Sequence, residues 1–144
     1  MCTVLLRLTP GGRWPVLLGA IRDEFVERSW DPPARHWPGP WAGLVGGRDH
    51  VAGGTWLAVD PEARSVAALL NGFRREPDGE DPRPTRGHLA LRILTEEGLP
   101  DDLTRYDRFH LLRAALGRSE LWTWDGDTLL HTELPPGDHL IVNA

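Results

Sequence analysis

Cysteine occurs once in this chain, at position 2, directly behind the initiator methionine in MCTVLLRL. Methionine trimming favours a small second residue, and cysteine is small enough to be exposed in that way. An N-terminal Cys2 carries a thiol and an α-amine whose ordinary pKa is about 7.7–8.0. The amine can then act as the thiol's own general base, directly or through one water, so nucleophile and base share one residue. The same position suits a small apolar residue that opens a buried strand, and residue type alone leaves both readings open.

The next reactive group is Ala20-Ile21-Arg22-Asp23-Glu24. Three charges in a row can be a solvated turn. If segments 2–8 and 14–21 fold back on each other as a hairpin, however, Arg22 and Asp23 return to the neighbourhood of Cys2. Asp23 can then hold an α-ammonium, and Arg22 can hold a thiolate or, bidentately, a substrate carboxylate. Asn71 closes the apolar run SVAALLN ahead of Gly72. It can shape an Asn-Gly turn, or its amide can donate to an oxyanion.

Other chemistries are excluded by what is missing. All 16 basic residues are arginine, so no lysine can form a Schiff base. A single cysteine rules out a disulfide framework and a multi-cysteine zinc site, and the six histidines show no HExxH or close ligand spacing, so no metal is expected. GGRDHVAGGTW is glycine-rich but lacks the Gly-Lys-Ser/Thr ending of a phosphate loop, and there is no GxSxG elbow. The net charge of −5 argues against nucleic acid as a partner. No run approaches the ~20 apolar residues of a membrane span. Arg7 and Arg13 interrupt any leader, and a cytoplasmic protein is expected.

The elements that must position these residues are legible as patterns. CTVLLRL and WPVLLGAIR, joined by PGGR, predict the N-terminal hairpin. From Arg28 to Gly47, Pro32, Pro33, Pro38 and Pro40 predict an irregular loop, pinned by burial of Trp30, Trp37 and Trp41. TWLAVD and SVAALLN predict a hairpin buried on both faces. FRREPDGEDPRP reads as a polar loop, the segment expected to move most. TRGHLALRILTEEG predicts a helix capped by Thr85 and ended by Gly98, and PDDLTRY a short second one. RFHLLRAAL, ELWTWD and TLLHTEL predict strands, the last two joined at Asp125-Gly126, and PPGDHLIVNA a turn and a final strand. No internal repeat is visible, and residues 1–144 read as one α+β domain, mostly antiparallel.

MCTVLLRL, AIRDEFVER, AGGTWLAVD, SVAALLN and TRGHL, in that order and with GDHLIVNA at the end, resemble the NRDE family, also called the transport and Golgi organisation protein 2 family. The resemblance runs from residue 1 almost to residue 144. It implies an N-terminal-nucleophile (Ntn) hydrolase-like layered fold, with two antiparallel sheets between helical layers and few helices. The opening MCT is also similar to that of choloylglycine hydrolases, amidases with an N-terminal cysteine. That likeness implies Cys2 as nucleophile, Arg22 and Asp23 as supporting charges and Asn71 as oxyanion donor. The implied reaction is hydrolysis of a linear amide C–N bond in a small molecule through a thioester, with no cofactor required.

There are two departures from the family pattern. Ile21 stands where the family has its namesake asparagine. The chain also stops where relatives continue, so the expectation is the N-terminal portion of the family's full length, a sandwich truncated at its C-terminus. Its exposed sheet edges or faces would need another copy or a partner chain to cover them. The family's roles in haem trafficking and in membrane or lipid phenotypes imply two alternatives. One is a non-catalytic handler of haem or a lipid ligand, using the surface offered by the seven tryptophans. The other is a structural relative that works only as a homo-oligomer.

Overall fold

A computed structural model describes residues 2–72 and 82–143 of the chain. Most of FRREPDGEDPRP, the loop expected to move, lies outside the described residues.

The first strand shows why the chain folds into layers. TVLLRL alternates, so β1 (Thr3–Leu8) sends Val4, Leu6 and Leu8 inward and Leu5 and Arg7 outward. A turn with Gly11 at φ +76° lets β2 (Val16–Ile21) return antiparallel, with Thr3 opposite Ile21. The predicted hairpin therefore forms. The final strand, β10 (Gly137–Val142), joins the other side of β1 with Thr3 opposite Val142, giving a three-stranded sheet in the order β10-β1-β2.

The remaining strands form a seven-stranded antiparallel meander. They are β3 (Trp30–Ala34), β4 (Val45–Asp49), β5 (Leu57–Asp60), β6 (Ser65–Asn71), β7 (Phe109–Ala115), β8 (Arg118–Trp124) and β9 (Leu129–Glu133). β6 is buried on both faces along Val66–Leu70, which are all apolar. Ala68 and Leu70 pack with Val4, Leu6 and Ile141 between the sheets. Ala67 and Leu69 pack with Leu89, Leu91, Trp122 and Trp124 on the other side. Those leucines belong to α1 (Leu89–Arg92), which covers the large sheet away from β1. Among the described residues the result is α+β, with two antiparallel sheets stacked face to face and one short α-helix.

Several expectations are corrected. The segment 28–47 is not irregular throughout, because WDPPA forms β3 and VGGRD forms β4. Prolines are tolerated in β3 because it is an edge strand, where missing N–H groups cost no ladder bond, and the register shifts between Asp31 and Ala34. Trp37 is buried and donates through Nε1 to the Gly53 carbonyl at 2.8 Å, whereas Trp30 stays half exposed. β5 is buried on one face only, with Val59 exposed.

The long helix is mostly absent. Thr85 does cap, its Oγ1 accepting from the Gly87 N–H at 3.2 Å, but a 3₁₀ turn over Arg86–His88 runs into an α-helix of only four residues. The Thr95 hydroxyl then takes the Arg92 carbonyl at 2.9 Å and diverts the chain. Gly98, at φ +60°, completes the exit. PDDLTRY is not helical either, because the Asp102 carboxylate accepts from both the Thr104 N–H and hydroxyl and closes a local turn. Among the described residues no helix is long and apolar enough to cross a membrane.

Candidate functional site

Strand direction brings the reactive residues together. β1 begins where β2 and β10 end, since Thr3 lies opposite both Ile21 and Val142. β6 ends at the same end of the sandwich. Cys2, Arg22, Asn143 and Asn71 are the residues at those four strand ends.

Asn143 ties the two sheets. The Cys2 backbone N–H donates to Asn143 Oδ1 at 2.6 Å, and Asn143 Nδ2 donates to the Asn71 carbonyl at 2.8 Å. Asn71 itself is the last ladder residue of β6, opposite Phe109. The Gly72 N–H donates to the Arg108 carbonyl at 2.9 Å, so Asn71-Gly72 continues the strand pairing. The Asn71 carboxamide makes no hydrogen bond among the described residues.

Cys2, Arg22 and Asn71 line one cleft of about 570 Å³, together with Arg28, Asp49 and Arg83. Asp23 is exposed and outside that lining. Its carboxyl is held below the ordinary value, first by a side-chain hydrogen bond and then by a neighbouring positive charge. Of the two adjacent charges, Arg22 belongs to the cleft.

Arg22 is held on three sides. Its guanidinium lies 4.2 Å over the Trp56 ring, Nη2 is 2.8 Å from Glu24 Oε2, and Asp49 Oδ2 is 4.0 Å away. Asp49 is the buried hub of this cluster. Arg28 donates to it from Nε at 2.8 Å and Nη2 at 2.6 Å, and the N–H groups of Val51 and Ala52 at 2.8 and 3.3 Å. Burial pushes the Asp49 carboxyl up. The Arg28 bond and the two backbone donors outweigh burial and hold it below the ordinary carboxylate value. On the other wall Arg83 pairs with Asp107 at 2.5 Å.

The two glycine-bearing motifs meet behind this wall. A Cβ on Gly54 would lie 2.5 Å from the Gly87 carbonyl carbon, and the Thr55 N–H donates to the Gly87 carbonyl at 3.1 Å. Only glycine lets the AGGTW and TRGHL backbones cross so closely. That contact sets the wall carrying Arg83 and Arg86 against the Asp49 turn.

The motifs that looked separate along the chain thus converge on one end of one sandwich, and the similarity is of matching extent. A family model described as Transport and Golgi organisation 2 matches residues 1–144. The chain belongs to the Transport and Golgi organisation 2 family. No curated protein matches it.

Sequence reading brought Cys2, Arg22 and Asn71 to the site of this Transport and Golgi organisation 2 family member and missed Asn143, Asp49 and Arg28. Asn143 carried a signal, a lone amide ending the apolar run LIV, and so did Asp49, the acid of GGRDH. Arg28 carried none, being one of many surface-type arginines. The seven tryptophans do not form one surface. Trp37, Trp122 and Trp124 are core, while Trp30 and Trp56 meet edge to face at 5.7 Å beside the cleft. Ile21 points away from the sandwich on the outer face of the small sheet.

Proposed function

We propose that this protein is an N-terminal-cysteine hydrolase of linear amide C–N bonds in small molecules. The observation that carries the reading is the Cys2–Asn143–Asn71 chain of hydrogen bonds at the cleft. It fixes the backbone nitrogen of Cys2 at 2.6 Å from a neutral acceptor, beside an unengaged carboxamide. Removal of Met1 turns that nitrogen into the α-amine, which Asn143 Oδ1 holds and orients, and the Asp23 carboxylate, two residues beyond the Ile21 that faces Thr3, is its proposed counter-charge. The amine takes the thiol proton, and the thiolate adds to the amide carbon. The oxyanion accepts from the Asn71 carboxamide. Collapse transfers the proton to the departing amine and leaves a thioester on Cys2, which water, activated by the same amine, hydrolyses. Arg22, fixed by Trp56 and Glu24, supplies positive charge to the thiolate or to a substrate carboxylate. The reaction uses no cofactor. A cleft of about 570 Å³ suits a small-molecule substrate.

The test is turnover of a panel of N-acyl amides by the full chain and by its Cys2→Ala variant. The reading expects release of amine by the native protein, none by Cys2→Ala, and an acyl-enzyme of one added acyl mass on acid quenching. Equal turnover by Cys2→Ala would contradict it.

A further inference from the structure

The acids and the bases of the cleft differ in what they still offer a ligand. A carboxylate accepts about four hydrogen bonds. Asp49 already has them, Arg28 Nε and Nη2 at 2.8 and 2.6 Å on Oδ2, and the Val51 and Ala52 N–H groups at 2.8 and 3.3 Å on Oδ1. Glu24 takes the Phe25 N–H on Oε1 at 3.0 Å and Arg22 Nη2 on Oε2 at 2.8 Å. Asp107 takes Arg83 Nη1. Every acid lining the cleft is thus turned to an arginine.

The arginines keep donors in hand. A guanidinium carries five N–H groups in one plane. Arg22 gives Nη2 to Glu24, and Arg83 gives Nη1 to Asp107, and neither makes a further hydrogen bond among the described residues. The Trp56 ring, 4.2 Å from the Arg22 guanidinium, fixes its plane and leaves its edge presented. Formal charge points the same way. Among the described lining residues, Arg22, Arg28, Arg83 and Arg86 face Glu24, Asp49 and Asp107, four positive charges against three negative.

We infer that the cleft binds a ligand bearing one carboxylate, gripped by Arg22 and Arg83. On the hydrolase activity proposed above, on which this step rests, its substrates are N-acyl amino acids and not neutral amides. One carboxylate supplies the acceptors that the cleft lacks, in the planar form that guanidinium edges match, and cancels the excess charge. A neutral amide leaves both arginines short of an acceptor. A dianion exceeds the charge by one and is left partly unpaired. Arg22 then serves the ligand and not the Cys2 thiolate.

Isothermal titration of the full chain carrying Cys2→Ala, which reads binding without turnover, tests this. The probes are N-benzoylglycine, its neutral amide N-benzoylglycinamide, and the dianion N-benzoylaminomethylphosphonate, at about pH 8.5 and about 50 mM salt. N-benzoylglycine binds about tenfold or more tighter than either of the others, as charge-assisted bonds require. Adding Arg22→Gln or Arg83→Gln removes that preference. Adding Arg13→Gln, in the β1–β2 turn at the opposite end of the sandwich, keeps it. Far-UV circular dichroism reports whether each variant is folded, and either glutamine variant carries the test where the other unfolds. Equal affinity for N-benzoylglycine and its neutral amide overturns the inference, as do tighter binding of the phosphonate and a preference that survives both glutamine variants. A carboxylate preference in a native chain that hydrolyses no N-acyl amide upholds the binding site and contradicts the hydrolase alone.

Discussion

Cys2 and Asn143 stand 141 positions apart in the chain and 2.6 Å apart in the fold, and the chemistry proposed here depends on that contact. In that proposed chemistry Asn143 is a positioning residue, acting through the nitrogen it holds. A carbonyl oxygen accepting from an amine stabilises the ammonium and raises its pKa. Asn143→Ala therefore lowers the pKa of the mature amine. The acid limb of the kcat/KM profile moves to lower pH, whereas a merely structural loss lowers the plateau without moving the limb. Asn143→Asp places a carboxylate there and moves the limb the other way. On the proposed mechanism Asn71→Ala removes an oxyanion donor and lowers kcat by about 10²–10³-fold with KM little changed. Leu121→Val, remote from the cleft, leaves both parameters as they are.

At the scale of elements, the site is built by strand ends and a backbone crossing. The hairpin of β1 and β2 was legible because both strands are apolar runs with turn glycines between them, and it alone predicts that Arg22 returns to Cys2. The last strand was legible too, but not its partner: nothing local in GDHLIVNA says that it pairs with residues at the other end of the chain. Asn143 was missed for that reason. β3 and the helix were misread where tertiary context overrides propensity, an edge position sheltering Pro32 and Pro33, and the Thr95 hydroxyl cutting α1 short. Gly54 and Gly87 give the sharpest element-scale prediction. Gly54→Ala forces a Cβ to within 2.5 Å of backbone and costs about 3 kcal/mol or more in chemical denaturation. Gly43→Ala, which meets nothing within 4 Å, stays within about 0.5 kcal/mol of native.

For the molecule as a whole, pH stability follows from where its titratable groups are buried. His88 and His110 are partly desolvated, which lowers their pKa below the ordinary value near 6.5. A depressed pKa means the neutral form is the folded one, so their contribution is complete above about pH 6.5 and is lost as pH falls below it. Asp49 is also depressed, and its contribution is complete above about pH 4 and lost below. The thermal midpoint is therefore flat from pH 8 to 7, declines first as pH falls below about 6.5, and drops again below about pH 4. In Asp49→Asn the second decline is reduced, with a loss of about 1–3 kcal/mol at neutral pH from the weakened Arg28 bonds, Glu24 at 3.9 Å being the carboxylate that Arg28 keeps.

Cys2, the nucleophile proposed here, lines the cleft at the end of the sandwich, and its state can be read directly. Intact mass of the purified native protein, before and after a thiol-directed acylating reagent, is the measurement. The account predicts a chain lacking Met1 that gains one acyl group, mapped to Cys2 and absent from Cys2→Ala. A chain that retains Met1, or one that gains no acyl group at Cys2, would contradict it.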